Sequence, residues 1–508
     1  MAYLMGMDIG TSSTRAIIID EDGKLIASAT SDYPLITLKP GWAEQRPEDW
    51  WKASVEVIKK VIEKSKVKPE DIAAIGPSGQ MHGSVFLDKG GNVLRPALLW
   101  CDQRTQKQCD EIYDIFGYEG FIKLSYNKAL TGFTAPKILW LRENEPEVYK
   151  DLFKILLPKD YIRFMLSGTY ATEVSDGSGT ILMDIAKRKW SDEILSGLKI
   201  DKNMLPELYE SCEVSAKVSA EAARATGLKE GTPIVGGAGD QAGGAVGSGI
   251  VKPGLISDYV GTSGVVFSYS EKPAYDTQGR LHSFCHAVPG KWHMMGVTLS
   301  AAGSLKWYDD NFGPSSQIKE KYPDVKSYKL LDLQAQNVKC GSEGLIFLPY
   351  LSGERTPYAD PYARGVFFGL SYLHGQDHFV RAILEGVAYS QFDCLSLMNE
   401  VGVKTDKVIL FGGGAKSKIW KQIIADIFNV KISTLNVEEG PSYGGALLAG
   451  VGCGIYKSIQ DATDRVIKEV EEVSPVKANA EIYKKAYDIY KSLYKDLKND
   501  FSKLNSIA

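Results

Sequence analysis

The chain has 508 residues, 44% of them hydrophobic and 24% charged, with a formal net charge of −4. That length suggests two large domains or up to four ordinary ones, each able to bury a core without staples. The slight acidity disfavours a nucleic-acid binder, which would carry a basic face, and seven cysteines without a CxxC pair fit reduced thiols better than a disulfide framework.

In chain order, Tyr3 to Ile9 reads as a strand, Gly10-Thr11-Ser12 as a tight turn, and Arg15 onward as a second strand. No basic stretch precedes an apolar one here, so a signal peptide is not expected. Pro47-Glu-Asp opens a helix, because proline suits the first helical position and acids suit the first turn. Ile72–Ile75 is a short strand leading into Gly79-Gln80-Met81-His82-Gly83. Pro233-Ile-Val feeds a glycine turn, after which Asp240 starts a helix of small residues. Val251-Lys-Pro-Gly marks a boundary between two domains, 1–250 and 251–508, with a hinge near Gly249–Gly254.

From Leu255 the opening pattern returns: strand, Gly261-Thr262-Ser263, then a strand from Val265. This weak repeat, about half a chain apart, suggests a duplicated domain. Val408-Ile-Leu-Phe runs into Gly412-Gly413-Gly414 and an amphipathic helix carrying Ile419, Ile423 and Ile427. The late apolar run Gly444 to Ile455 is too short and glycine-rich to span a bilayer. Ile482, Ala486, Ile489, Leu493, Leu497, Phe501 and Leu504 mark a terminal helix docked on the protein. Strand, glycine turn, then helix or strand is the grammar of an α/β fold with ligands at strand ends. The expectation is a cytoplasmic protein without membrane or nucleic-acid partners, with a homodimer left open.

Several segments carry chemistry. In the two Gly-Thr-Ser turns, converging N–H groups and hydroxyls suit an anion, and one copy in each half suggests a shared ligand with two phosphate contacts. Asp8, two residues before the first turn, suits Mg2+ beside phosphates, or merely caps the turn. Asp240 reads as a helix-start carboxylate of low pKa, ionised at neutral pH. The amide and imidazole of GQMHG suit sugar hydroxyls, although a lone histidine is more often structural. Three bare glycines at Gly412–Gly414 let a flat ring or phosphate lie on backbone, or simply make a tight turn. Gly237-Ala-Gly239-Asp-Gln-Ala242 also fits a dinucleotide fingerprint, with Asp258 as the ribose acid, which keeps a nicotinamide-dependent oxidoreductase as a rival. His282, Cys285, His286 and His293 match no standard zinc spacing.

Together the segments DIGTSS, GWAEQRPEDWW, GQMHG, GFTAPKILWL, LLPKDY, SDGSGT, GAGDQAGGAVG, GTSG, HSFCHAVPG, LPYLSGERTP, GVFFGL and FGGGAKS resemble the FGGY family of carbohydrate kinases over nearly the whole chain. The resemblance implies two ribonuclease H-like domains of the actin-like ATPase type flanking a deep cleft. It implies ATP and Mg2+ as cofactors, and Asp240 as the base acting on a sugar hydroxyl. Met81, His82 and Gln241 would contact the sugar. Thr11, Ser12, Gly261 and Thr262 would face ATP phosphates, Gly412, Gly413 and Gly414 the adenosine, and Asp8 the metal. GQMHG and SFCHAVPG resemble the members that phosphorylate D-xylulose. Other sugars or polyols of the family (ribulose, glycerol, gluconate, deoxy-xylulose) stay open, because Gln241 and Cys101 stand where well-known relatives carry Asn.

Overall fold

The structure is a computed structural model and describes residues 2–436 and 440–504. It is built on two mixed sheets of matching order. In the first, β1 (Tyr3–Ile9) and β2 (Ser13–Asp20) form an antiparallel hairpin, extended by β3 (Leu25–Asp32). On the other side of β1 lies the parallel strand β4 (Ile72–Gly79), then β6 (Pro233–Val235) and β5 (Val214–Lys217). In the second sheet β7 (Gly254–Val260) and β8 (Gly264–Ser270) form the equivalent hairpin, with β9 (His282–Cys285) and β10 (Trp292–Thr298) beyond β8. Parallel to β7 runs β11 (Thr405–Gly412), followed by β12 (Lys431–Leu435) and β13 (Glu469–Val473). Without β9, the order β13-β12-β11-β7-β8-β10 repeats β5-β6-β4-β1-β2-β3. The repeated Gly-Thr-Ser turn is therefore the local trace of a whole repeated sheet.

Seven helices concern the argument. They are α1 (Pro47–Ser65), α2 (Thr134–Asn144), α3 (Asp240–Gly247), α4 (Gln376–Glu400), α5 (Lys418–Phe428), α6 (Gly440–Gly452) and α7 (Lys477–Leu504). Although α6 falls in sequence between β12 and β13 of the second sheet, it packs on β1 and β4 of the first sheet and against α3. Only glycine permits this crossing. A Cβ on Gly76 would stand 1.8 Å from the Gly445 carbonyl oxygen, and one on Gly444 would stand 1.8 Å from that of Gly243. Among the described residues no helix is long and apolar enough to cross a membrane.

Two details differ from the sequence reading. Strand β4 does not stop at Ile75 but continues to Gly79, in register with β1 to Ile9↔Gly79. Gly76, which looks like a breaker, is there for the approach of α6. The buried stripe of α7 is only partly the expected one: Leu493 and Phe501 are buried and Ala486 and Leu497 pack against the core, but Ile482, Ile489 and Leu504 are exposed, and Tyr483, Tyr487, Tyr490 and Tyr494 are buried as well. Their hydroxyls decide this by finding buried partners. Tyr483 donates to Glu385 at 2.8 Å, Tyr487 to Asp393 at 2.5 Å, and Tyr350 meets Tyr490 at 2.9 Å.

The halves are also joined away from the helix crossing. The buried Asn127 amide donates to Ser283 O at 2.7 Å and accepts from Ser283 N at 3.1 Å, copying a strand partner at the edge of β9. Ser178 Oγ accepts from Cys285 N at 3.2 Å, and the Tyr126 and Tyr275 rings stack at 4.4 Å.

Candidate active site

Strand register assembles the site. Ala238 and Gly239 add a short parallel strand to β4, with Gly239 beside Gly79, and Gly79 lies beside Ile9 of β1. Three parallel strands thus end level, and the next residues are Gly10-Thr11, Gln80-Met81-His82 and Asp240-Gln241. Ligands of open α/β sheets bind where such strand ends meet. The second sheet repeats the device: Val260 pairs with Gly412, so Gly261-Thr262 and Gly413-Gly414 emerge side by side.

Both Gly-Thr-Ser turns have their carbonyl oxygens capped by the protein. In the first, Gly10 O accepts from Tyr33 Oη at 2.6 Å and from Gln80 Nε2 at 3.2 Å, Thr11 O from Gln45 Nε2 at 2.7 Å, and Ser12 O from Tyr33 N at 3.1 Å. In the second, Gly261 O and Thr262 O accept amides from Ala301 to Gly303, at the start of the helix Ala302–Asn311. Oxygens held this way keep a turn's negative side occupied, as an anion-binding turn needs. Ser12 and Thr262 are exposed, as a ligand contact requires. The Thr11 hydroxyl, by contrast, is already engaged: it accepts from Trp100 Nε1 at 2.9 Å and donates to Gln80 Oε1 at 3.2 Å. Gln80, read as a sugar-facing amide, instead braces this turn. Sequence reasoning missed Trp100 and Gln45 here, because neither lies in a recognisable motif.

Gly412 holds φ +77°, and a Cβ on it would stand 2.5 Å from Val260 O. Gly414 would press a Cβ into the Val260 side chain at 2.7 Å. Bare backbone is therefore required for β7 and β11 to end together, and Gly413 is left exposed.

Met81 is buried, and a Cβ on Gly239 would stand 2.8 Å from its Cγ, which places its side chain directly against the turn carrying Asp240. His82 has φ +68°, a left-handed backbone that non-glycine residues adopt rarely, and unlike Lys66, Tyr126, Lys199 and Asn429 it does not cap the end of a helix. Its Nδ1 meets Gly179 O at 2.8 Å, so Nδ1 carries the proton and Nε2 is left as an acceptor. Burial holds this imidazole well below its usual pKa, so it is neutral. Its ring lies 4.5 Å from that of Phe133.

Asp240 is the first residue of α3, after Gly239 at the N-cap, and its Oδ1 accepts from Gln241 N at 2.7 Å. The low pKa expected of a helix-start carboxylate is not found. Burial pushes Asp240 up to about 6, outweighing the hydrogen bonds from Gln241 that lower it. Asp8 is pushed further, to about 7, by burial and by the Asp240 charge, with Arg15 and Ser78 opposing. Asp8 Oδ1 is buried with no hydrogen-bond partner. Two carboxylates that repel each other, one with an orphaned oxygen, are a donor set suited to a hard cation.

Asp258, the acid that a dinucleotide site would need, is buried in the second sheet, where Oδ1 accepts from Gln391 Nε2 at 2.6 Å. It lies in the core of the second sheet, engaged by Gln391. His286 meets Ile250 O at 3.1 Å through Nε2, and the His293 ring stacks on Phe267 at 4.4 Å. Burial lowers both pKa values.

Residues 3–247 match the N-terminal domain model of the FGGY family of carbohydrate kinases, and residues 259–453 match its C-terminal domain model. The chain belongs to the FGGY family of carbohydrate kinases. It is 42% identical to a xylulose kinase of Lactococcus lactis (98% of this chain, 97% of that one) and 39% identical to one of Bacillus subtilis (98% of each). A ligand-bound xylulose kinase from Lactobacillus acidophilus superposes with a TM-score of 0.91 at 26% identity, covering 99% of this chain and all (100%) of that one. The FGGY fold is the two-domain, mixed-sheet type of the actin-like ATPases, and this FGGY chain is a sugar kinase.

Proposed function

We propose that this chain transfers the γ-phosphoryl group of ATP to the C5 hydroxyl of D-xylulose, giving D-xylulose 5-phosphate and ADP. The observation that carries the reading is the level ending of three parallel strands. It brings the turn Gly10–Ser12, Met81–His82 and the carboxylate of Asp240 to one place. Asp240 and Gln241 orient the hydroxyl, Met81 gives the sugar an apolar floor, and His82 Nε2 accepts from a second hydroxyl. Gly261 and Thr262 serve the phosphates together with Thr11 and Ser12, and Gly412, Gly413 and Gly414 receive the adenosine.

The hydroxyl oxygen bonds to the γ-phosphorus, the bond to the β,γ-bridging oxygen breaks, and the hydroxyl proton passes to Asp240. A carboxylate of pKa about 6 is mostly ionised at neutral pH, yet a better base than an ordinary aspartate. Proton removal contributes modestly in a loose transition state, and alignment contributes more. Mg2+ would be held by Asp8, largely through water and phosphate oxygens, and would supply charge neutralisation on the phosphates. The orphaned, buried Asp8 Oδ1 fits that role.

The chain passes from the first domain to the second between residues 250 and 251, and α6 later returns to pack on the first sheet. The left-handed Gly249 (φ +72°) and Gly254 (φ +82°) bracket the hinge. A coupled ADP-release assay against D-xylulose, D-ribulose, glycerol and gluconate tests the substrate. D-xylulose should give the highest kcat/KM, and preference for another member would reassign it.

A further inference from the structure

The His82 ring is held by Gly179 O, and its backbone carbonyl is held from one helix. Phe133, just before α2, lies against its ring. From the first turn of α2, Thr134 Oγ1 donates to the His82 carbonyl at 3.2 Å and Lys137 Nζ donates to it at 2.8 Å. The same Nζ donates to Gly132 O at 2.7 Å. The Gly132 backbone lies on the strand-end segment carrying Trp100, since a Cβ on Gly132 would stand 2.1 Å from Trp100 O. Trp100 in turn reaches Thr11.

Lys137 is completely buried (0% exposed). Its two hydrogen-bond acceptors are both neutral carbonyls. The nearby Asp102 carboxylate is occupied by Arg104 and by Ala43 N. Burial accordingly pushes the ammonium down to about 7. Taking a lysine charge out of water is costly, and packing alone would be served by methionine or leucine. The ammonium is spent on holding a strained residue, because the left-handed His82 backbone persists only where its surroundings over-determine it.

We propose that Lys137 is a positioning residue for the sugar: by gripping the His82 carbonyl together with Gly132 O, it fixes the left-handed turn that aims His82 Nε2 at the substrate. This rests on the reading of Met81 and His82 as sugar contacts. Lys137 touches neither Asp240 nor the Gly-Thr-Ser turns directly: its one direct link to the sugar-facing pair is the His82 carbonyl, and its link to Thr11 runs through Gly132 and Trp100, so its loss should act mainly on sugar binding through His82.

The test is steady-state kinetics on the full chain, varying D-xylulose and ATP separately, for Lys137→Met, Thr134→Val, His82→Ala and the double variant His82→Ala/Lys137→Met. Lys137→Met should raise the sugar KM about tenfold or more and leave the ATP KM within about twofold. Thr134→Val should shift the sugar KM in the same direction by a few-fold. In the double variant, removing Lys137 should add no more than about twofold to the effect of His82→Ala, because contacting residues on one path are non-additive. A merely structural lysine would move both KM values together, or multiply with His82→Ala, and either result overturns the proposal. If Lys137→Met does not fold, Thr134→Val decides, and an unchanged sugar KM there overturns it. If His82→Ala itself leaves the sugar KM at the parent value, the reading of the sugar site falls and the proposal falls with it.

Discussion

Replacing Asp240 by asparagine should cost the chain its activity and make it more stable. The argument starts from the displaced pKa. The carboxyl rises from 3.8 to about 6 mainly through burial, so the folded protein holds a charge that it would rather not carry. A rise of roughly two units corresponds to ~3 kcal/mol at full value. The carboxylate is only partly buried, so water screens it, and ~1–2 kcal/mol is the better figure. The sign follows from linkage. A raised folded pKa means that stability is fully present below pH 3.8 and is lost as pH rises through about 6. An asparagine at this position would have no charge to bury, and its side-chain oxygen can still accept from Gln241 N. At pH 8, without ligands, the Asp240→Asn variant should melt about 2–8 °C above the parent, at ~2–4 °C per kcal/mol for domains of this size. Near pH 3.5 the two should melt together. Turnover at pH 8 should fall by about 10²–10⁴, the usual worth of a positioned acid–base group. A variant that melts below the parent at pH 8, or turns over at the parent rate, would refute the placement of this carboxylate.

The same shift sets the pH profile: kcat/KM for the sugar should fall on the acid side with an apparent pKa near 6, and a profile flat down to pH 5 would contradict it. Because Asp8 and Asp240 interact, that limb belongs to the pair. Gly412→Ala forces a Cβ to 2.5 Å from Val260 O at φ +77°, so the ATP KM should rise several-fold while the sugar KM holds. Gly444→Ala drives a Cβ to 1.8 Å from Gly243 O and should cost ~3 kcal/mol or more, seen as loss of soluble protein or a much lower Tm. Asn127→Ala leaves two backbone groups of Ser283 without their partner and should cost ~2–4 kcal/mol in thermal or denaturant unfolding.

Much of this architecture was legible because it is written locally. A Gly-Thr-Ser turn between two apolar runs encodes a hairpin wherever it occurs, and finding it twice pointed to duplication. The helix at Asp240 and the glycine turn at Gly412–Gly414 were equally local. What the sequence hid depends on distant partners. Gly76 looks like a strand breaker until α6, about 365 residues later in the chain, is seen lying on its strand. The apolar stripe of α7 marks the helix and part of its buried face, Leu493 and Phe501, while tyrosines that reach Glu385 and Asp393 take the burial expected of Ile482 and Ile489. The acidity of Asp240 is hidden in the same way. A helix start lowers a carboxyl pKa and burial raises it, and burial is invisible in a sequence. Lys137 sits inside an apolar helix as an apparent anomaly, and only the strained His82 opposite gives it a purpose.

The central claim is transfer of phosphate from ATP to carbon 5 of D-xylulose. Incubation of the chain with ATP, Mg2+ and D-xylulose carrying 13C at carbon 5, followed by NMR, tests it most directly. The account predicts a product in which the labelled carbon couples to phosphorus, with ADP formed in equal amount and none formed by Asp240→Asn on the same timescale. ADP release without a phosphosugar, or phosphorus coupled to a different carbon, would contradict it.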